Sequence, residues 1–218
     1  MDSKMLLDQL WKGTVTATEL FAVVLIFAIP LGMAITMCVR AKFKPLKWFF
    51  EAYIYLFRGT PLLLQLFIFW TGLPMIPVIG PYLTFESRFT TTCVAFVLNY
   101  AAYFAEIFRG GLLAVDKGQY EAAKVLGLSR TQTFFRIIFP QMFRVCLPSL
   151  TNETITLVKD TSLAYSLGVT ELLFRTQSLV NTYARPISTY LACIVVYLLM
   201  TTIVTLVMKR LERKYSFV

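Results

Sequence analysis

Residues 14–39 read TVTATELFAVVLIFAIPLGMAITMCV, and in this whole stretch only Glu19 carries a charge. Crossing about 30 Å of hydrocarbon takes roughly 20 helical residues. This run exceeds that length and lacks the polar stripe that a water-facing helix keeps. It therefore predicts a membrane span. Four further stretches of similar length follow it: Trp48–Gly72, Phe89–Phe108, Val145–Leu167 and Ser188–Met208. The first and fifth are clean, whereas the second and fourth contain charges and rest on length and flanks as much as on hydropathy. Composition agrees, since 57% of the 218 residues are hydrophobic and only 15% are charged. A soluble domain carries about 25% charged residues. The expectation is an all-α integral membrane protein, one transmembrane domain over 1–218, with five spans.

Orientation follows from the basic residues. Arg40, Lys42, Lys44 and Lys47 crowd the loop after the first span. Arg109, Lys117, Lys124, Arg130, Arg136 and Arg144 occupy the loop after the third, and Lys209, Arg210, Arg213 and Lys214 follow the fifth. These three regions hold two thirds of all Lys and Arg, so the N-terminus is expected outside and the C-terminus inside. The net charge of +9 is then a topology signal. Basic and aromatic residues are not interleaved on a soluble face, which argues against nucleic acid as a partner. The first apolar segment is too long for a signal peptide and no small-x-small cleavage site follows it, so it reads as a retained helix. Gly72–Arg88, with Pro74, Pro77 and Pro81, reads as a structured outer turn region.

Several chemistries are excluded. The chain has no histidine, which removes His-based triads, proton shuttles and zinc sites. Cys38, Cys93, Cys146 and Cys193 are far apart and lie in or beside apolar runs, as buried free thiols do. A metal cluster is not expected.

The loop from Arg109 to Arg144 is long for a connector and carries helix punctuation. Asp116 with Gln119 fits a capping box that opens a helix at about Lys117. Gly127 suits its left-handed end. Ser129 with Gln132 fits a second capping box, opening a helix that runs toward Pro140. The prediction is a cytoplasmic helix–turn–helix with Glu121, Ala122 and Ala123 midway along its first helix, where small side chains admit another backbone. An amphipathic helix lying on the lipid surface through Phe134, Phe135 and the basic residues is the alternative.

Glu121-Ala122-Ala123, then three residues, Gly127, nine residues, and Ile137-x-Phe139-Pro140 resembles the EAA loop of ABC importer permeases, with Phe139 where leucine is usual. Phe57-Arg58-Gly59-Thr60-Pro61-Leu62 with Gln65 is similar to the second-span segment of the polar amino-acid permeases. Asn99-Tyr100-Ala101-Ala102-Tyr103 with Glu106, Arg109 and Gly110, and Lys159-Asp160-Thr161-Ser162-Leu163, are similar to their third- and fourth-span signatures. The likeness covers nearly the whole chain. It implies the transmembrane subunit of an ATP-driven importer of polar amino acids in the cytoplasmic membrane of a prokaryote. It implies two copies of a cytoplasmic ATPase holding ATP and Mg, a second permease copy or related subunit, and an external solute-binding protein. Glu121, Ala122, Ala123 and Gly127 would then couple to the ATPase. The chain has no GxxxxGK[ST] phosphate loop, so it cannot supply an ATP site of that type itself.

Within the fourth span Ser149, Glu153, Thr156 and Asp160 are spaced 4, 3 and 4 residues apart, which puts them on one helical face. Asn152 and Lys159 flank that stripe. Charges at membrane depth cost about 2.5–3.5 kcal/mol each on insertion scales, so they need partners or water. A zwitterionic amino acid needs an acceptor for its ammonium and a donor for its carboxylate. Glu153 or Asp160 suits the first, Lys159 or a helix end the second, and Asn152, Thr156 and Asn99 complete the candidate set. These acidic residues favour a basic amino acid or cystine. The structural alternative pairs Lys159 and Asp160 with Arg58, Glu51 or Glu106, and Glu51 is also a candidate partner for Arg58, near which the second span should kink. A competing function is an ion-gradient-driven secondary transporter or channel working through Glu153 and Asp160. Dependence of uptake on ATP separates the two.

Overall fold

The computed structural model describes residues 3–78, 80–82 and 84–215. Nine α-helices are described: α1 Ser3–Val39, α2 Lys44–Gly59, α3 Leu62–Phe67, α4 Arg88–Ala114, α5 Lys117–Val125, α6 Arg130–Thr133, α7 Phe139–Asp160, α8 Leu172–Tyr183 and α9 Pro186–Tyr215. Wider π turns lie at Ile68–Gly72 and Phe134–Ile138, and short 3₁₀ turns at Leu73–Met75, Gly80–Tyr82 and Thr161–Leu167. Among the described residues there is no strand.

The five stretches expected as spans are helical, with altered edges. By length and composition α1, α4 and α9 can each cross a membrane. The second expected span is broken: α2 and the segment Leu62–Met75 meet at 109°. Pro61 explains the break, because it has no N–H to continue the ladder and drives Thr60 into the extended region (φ −122°, ψ 147°). The fourth expected span is α7, 22 residues long and continued by the 3₁₀ turn. Its Glu153, Lys159 and Asp160 make it too polar to be recognised from hydropathy alone.

At the centre lies α4, packed on α1. Leu20, Val24, Ala28 and Ile35 form one face of α1, which packs on α4 and shares one buried core with its Phe96, Ala101, Phe104 and Ala105. Small residues let the two backbones approach. A Cβ added to Gly32 would lie 2.8 Å from Phe104 Cβ and 2.9 Å from the Ala101 carbonyl. Thr36 Oγ1 donates across the interface to the Ala105 carbonyl at 2.9 Å, the kind of polar tie that helps join helices where burial itself gives little drive. By contrast α9 leaves Ile194, Leu198, Leu199, Ile203 and Leu206 exposed.

Threonine hydroxyls inside the helices mostly bond backwards. Thr18, Thr92, Thr154, Thr176 and Thr205 each donate to the carbonyl four residues earlier, at 2.6–2.8 Å, and Thr36 shares its one hydroxyl hydrogen between Gly32 and Ala105.

The break in the second span exposes carbonyls that side chains satisfy. Gln65 Nε2 donates to the Phe57 carbonyl (2.9 Å) and to Thr60 Oγ1 (2.8 Å), and Asn99 Nδ2 donates to Gln65 Oε1 (2.9 Å) and the Phe57 carbonyl (3.2 Å).

Two outcomes follow from this packing. Gly32→Leu should overpack the α1–α4 contact and cost about 1–3 kcal/mol, whereas Gly110→Ala, with open space around it, should leave stability unchanged or raised. Thermal melts of the purified chain in detergent read the difference. Asn99→Leu and Gln65→Leu should each cost about 1–3 kcal/mol by orphaning a partner. Because the two amides bond one another, the double variant should cost less than the sum of the single ones.

Candidate functional site

The bend between α2 and α3 opens a space that α4 and α7 close. The resulting cavity, about 360 Å³, is lined by Thr60, Pro61 and Leu62 from the break, Asn99, Tyr100 and Tyr103 from α4, and Glu153, Thr156, Asp160 and Leu163 from α7 and its 3₁₀ continuation. Three of the four residues of the α7 stripe, Glu153, Thr156 and Asp160, face this one space. Ser149, one turn earlier on α7, does not line it.

Tyr100 Oη donates to Asp160 Oδ2 at 2.7 Å. That bond holds one oxygen of the carboxylate. A carboxylate accepts at both oxygens, so Asp160 keeps acceptor capacity to spare. Glu153 makes no ion pair within 4 Å among the described residues, though Arg58 is near enough to act on it electrostatically. Two half-buried carboxylates thus converge on a cavity whose other polar groups are hydroxyls and one amide. Such a space attracts a cation.

Of the remaining candidates, Asn99 lines the cavity but spends its amide nitrogen on Gln65 and Phe57. Asn152 and Lys159 are exposed and do not line it. One residue along a helix turns the side chain by about 100°, so Lys159, next to Asp160, points instead into a groove against α9 with Thr201, Thr202, Thr205 and Lys209. The structural pairings expected for these charges are different as well. Arg58 Nη1 lies 3.8 Å from Glu106 Oε1 and its guanidinium sits 5.5 Å from the Tyr103 ring centre. Glu106 also bonds Arg109, while Glu51 pairs with Lys47 at 3.7 Å. Glu51 and Arg58 are two turns apart, about 10 Å along α2, beyond the spacing at which helical side chains pair.

Tyr100, Tyr103, Thr60 and Gln65 belong to the cavity or its wall without having been singled out as site residues. Polar groups inside apolar runs were the available signal. Glu171 was missed too: fully buried, it caps α8 by accepting from the Leu173 and Phe174 N–H groups at 2.8 Å, and Tyr197 donates to it at 2.9 Å.

The loop from Arg109 to Arg144 folds as its punctuation indicated, with two adjustments. Asp116 caps α5 by accepting from the Gly118 N–H, but Gln119 does not reciprocate and instead accepts from Gln141 at 3.1 Å. At the far end Leu128 N–H reaches the Ala123 carbonyl and Gly127 takes φ +71°, a left-handed stop. Ser129 and Gln132 form the full capping box. The helix they open does not end at Pro140; it passes through the π turn Phe134–Ile138 into α7. Widening the turn before the proline relieves its clash with the preceding turn's carbonyl. Ala123 is buried against this platform, while Glu121 and Ala122 face outward. Val125 and Leu126 beside them are 87% and 74% exposed, an apolar tip with no cover among the described residues.

Residues 28–217 match the family described as binding-protein-dependent transport system inner membrane component. The chain is 37% identical to the L-cystine transport system permease protein TcyB of Bacillus subtilis over 87% of this chain and 79% of that protein. It is 33% identical to the arginine ABC transporter permease protein ArtQ of Escherichia coli, over 86% and 87% of the two chains. The fold matches that of a chain in the crystal structure of an amino acid ABC transporter with histidines, with a TM-score of 0.86, 28% identity, and coverage of 98% of this chain and 99% of that one. On the family match and the extent of these alignments, the chain belongs to the inner membrane components of binding-protein-dependent transport systems, and its curated relatives are permease subunits of amino-acid ABC importers.

Proposed function

We propose that this chain is the permease subunit through which polar amino acids, a basic amino acid or cystine first among them, cross the cytoplasmic membrane of a prokaryote. The observation that carries the substrate class is the convergence of Glu153 and Asp160 on one cavity at a break in a span. In this reading Glu153 and the free oxygen of Asp160 accept from the ammonium or cationic side chain. Tyr100 fixes the orientation of Asp160, and Thr156 and Thr60 offer hydroxyls to the remaining polar atoms. Asn99 holds the wall rather than the substrate. Asn152 and Lys159 would act outside this cavity. That relatives include cystine and arginine permeases supports the same class.

Five spans with the N-terminus outside fit the basic loops: α1, the bent pair, α4, α7 and α9. The helix α5 and the turn at Gly127 then face the cytoplasm. We place the ATPase there, with two ATPase copies, holding ATP and Mg, beneath this chain and a second permease copy or related subunit, and an external binding protein on the other face. Glu121 and Ala122 form the approachable face, Ala123 seats it, Gly127 sets its end, and exposed Val125 and Leu126 supply apolar area for the contact. ATP-driven closure of the ATPase pair would move α5, and the Gln141–Gln119 bond with the unbroken path through the π turn would carry that motion to α7 and its carboxylates.

Uptake into proteoliposomes containing the assembled importer tests the cavity. Glu153→Gln and Asp160→Asn should each raise the KM for a basic amino acid about tenfold or more, the loss of one charge-assisted hydrogen bond. An unchanged KM in both variants would remove the cavity from this reading. Affinity capture from native membranes in mild detergent tests the loop. Wild type should bring down a phosphate-loop ATPase, Val125→Asp with Leu126→Asp should lose it, and Gly127→Val, forced into a left-handed backbone, should weaken it. Retention by all three would exclude α5 as the docking element.

A further inference from the structure

A second cavity lies outward of the carboxylates and has the opposite character. It is a groove open to the surface, about 430 Å³, lined by Trp70, Ser166, Gly168 and Phe174 and by the exposed side chains of Arg88 and Tyr165, with Leu167 behind them. It is built from the same three stretches as the acidic cavity. Trp70 follows Leu62 in the arm beyond the break, Arg88 precedes Asn99 by eleven residues on α4, and Tyr165 follows Asp160 by five. At 1.5 Å per residue the two cavities are about 16 Å apart along α4.

Arg88 is the one cation in its lining. Its guanidinium sits 5.7 Å from the Trp70 ring centre, and among the described residues it makes no ion pair. Stacking on a ring uses a face of the guanidinium and leaves its edge N–H donors free. Gly168, at φ +78°, makes room for it: a Cβ there would lie 2.5 Å from Arg88 Nη1. Tyr165 and Phe174, with ring centres 6.1 Å apart, form the opposite aromatic wall. A positioned guanidinium with free edge donors is a carboxylate fork, and the aromatic wall suits an aliphatic or cationic side chain.

We propose that this cavity is an outer station for the amino acid, in which Arg88 binds the α-carboxylate before the cationic end passes to Glu153 and Asp160. The proposal rests on the importer reading. The order is set by charge. The outer site reads the group common to all amino acids, and the inner site selects on positive charge. The separation of about 16 Å exceeds the length of one amino acid, so the two sites are occupied in turn.

Trp70 reports on the site directly. In the full-length chain with Trp11→Phe and Trp48→Phe, L-arginine, L-cystine and L-glutamine should each change Trp70 emission saturably. L-argininamide, which lacks the carboxylate, should bind at least tenfold more weakly than L-arginine. Arg88→Ala should abolish the response, and Arg88→Lys, which keeps charge but loses the fork, should weaken it about tenfold; the lysine variant carries the test if the alanine variant does not fold. Asp160→Asn should keep the response while uptake falls. No response to any of the three amino acids, an amide that matches the acid, or a response that survives Arg88→Ala would overturn the proposal. So would a response seen only when the external binding protein is added, because the carboxylate would then belong to that protein. Failure of the importer reading is separate, since it would show as wild-type uptake that does not depend on ATP.

Discussion

Side-chain amides bonded to an interrupted helix hold the centre of this protein. Where α2 stops at Gly59, carbonyls of the last turn lose their helical partners, and inside a bilayer such groups have little water to turn to. Unpaired backbone groups there cost several kcal/mol each. Gln65, one turn beyond the break, reaches back to Phe57 and Thr60, and Asn99 of α4 bonds both Gln65 and Phe57. The bend is therefore fixed by its neighbour rather than free to hinge. The acidic cavity inherits its shape from that bond pattern, because Thr60, Pro61, Leu62 and Asn99 form one side of it.

The α1–α4 interface supplies the rigid backing. Gly32 and the alanines of α4 bring two backbones together, and the aromatic side chains between them face the core. The carboxylates of α7 look across at α4 from the other side. One face of α4 is thus fully packed, while its other face, through Asn99, Tyr100 and Tyr103, borders a polar space. Further along the same helix a single carboxylate, Glu106, is shared by the guanidinium groups of Arg58 and Arg109, so this cluster keeps a net positive charge. At the cavity Glu153 and Asp160 make no ion pair within 4 Å among the described residues, and Arg58 and Lys159 act on them only from further off.

Much of this was legible in the chain. Length and hydropathy marked α1, α4 and α9, because an apolar run of span length has few other homes. The Ser129–Gln132 box and Gly127 were legible because caps are local, satisfied within three or four residues. The spacing of Glu153, Thr156 and Asp160 gave their common face for the same reason. What escaped was tertiary. Pro61 indicated a kink but not its 109°, which depends on Gln65 and Asn99 meeting across 34 residues. The partner of Arg58 lies on another helix, and sequence distance favoured Glu51. Adjacent positions such as Lys159 and Asp160 separate by a rotation that only the packing of α7 against α9 resolves. Glu171 stands in a short polar stretch between helices, and its burial under Tyr197 has no sequence signal.

The backward-bonding threonines bear on how such a chain is made. Thr18, Thr92, Thr154 and Thr205 satisfy their hydroxyls within their own helices, so these groups need no partner when a segment first leaves the translocon for lipid. Gln65 and Asn99 differ: the Gln65 amide nitrogen bonds within its own segment, but its oxygen and the Asn99 amide nitrogen find partners only when the two segments meet. The second span and α4 therefore have reason to be held back and released as a pair, while α1 and α9 can partition singly. Biogenesis would then run in two tempos, set by which polar groups are satisfied locally and which must wait.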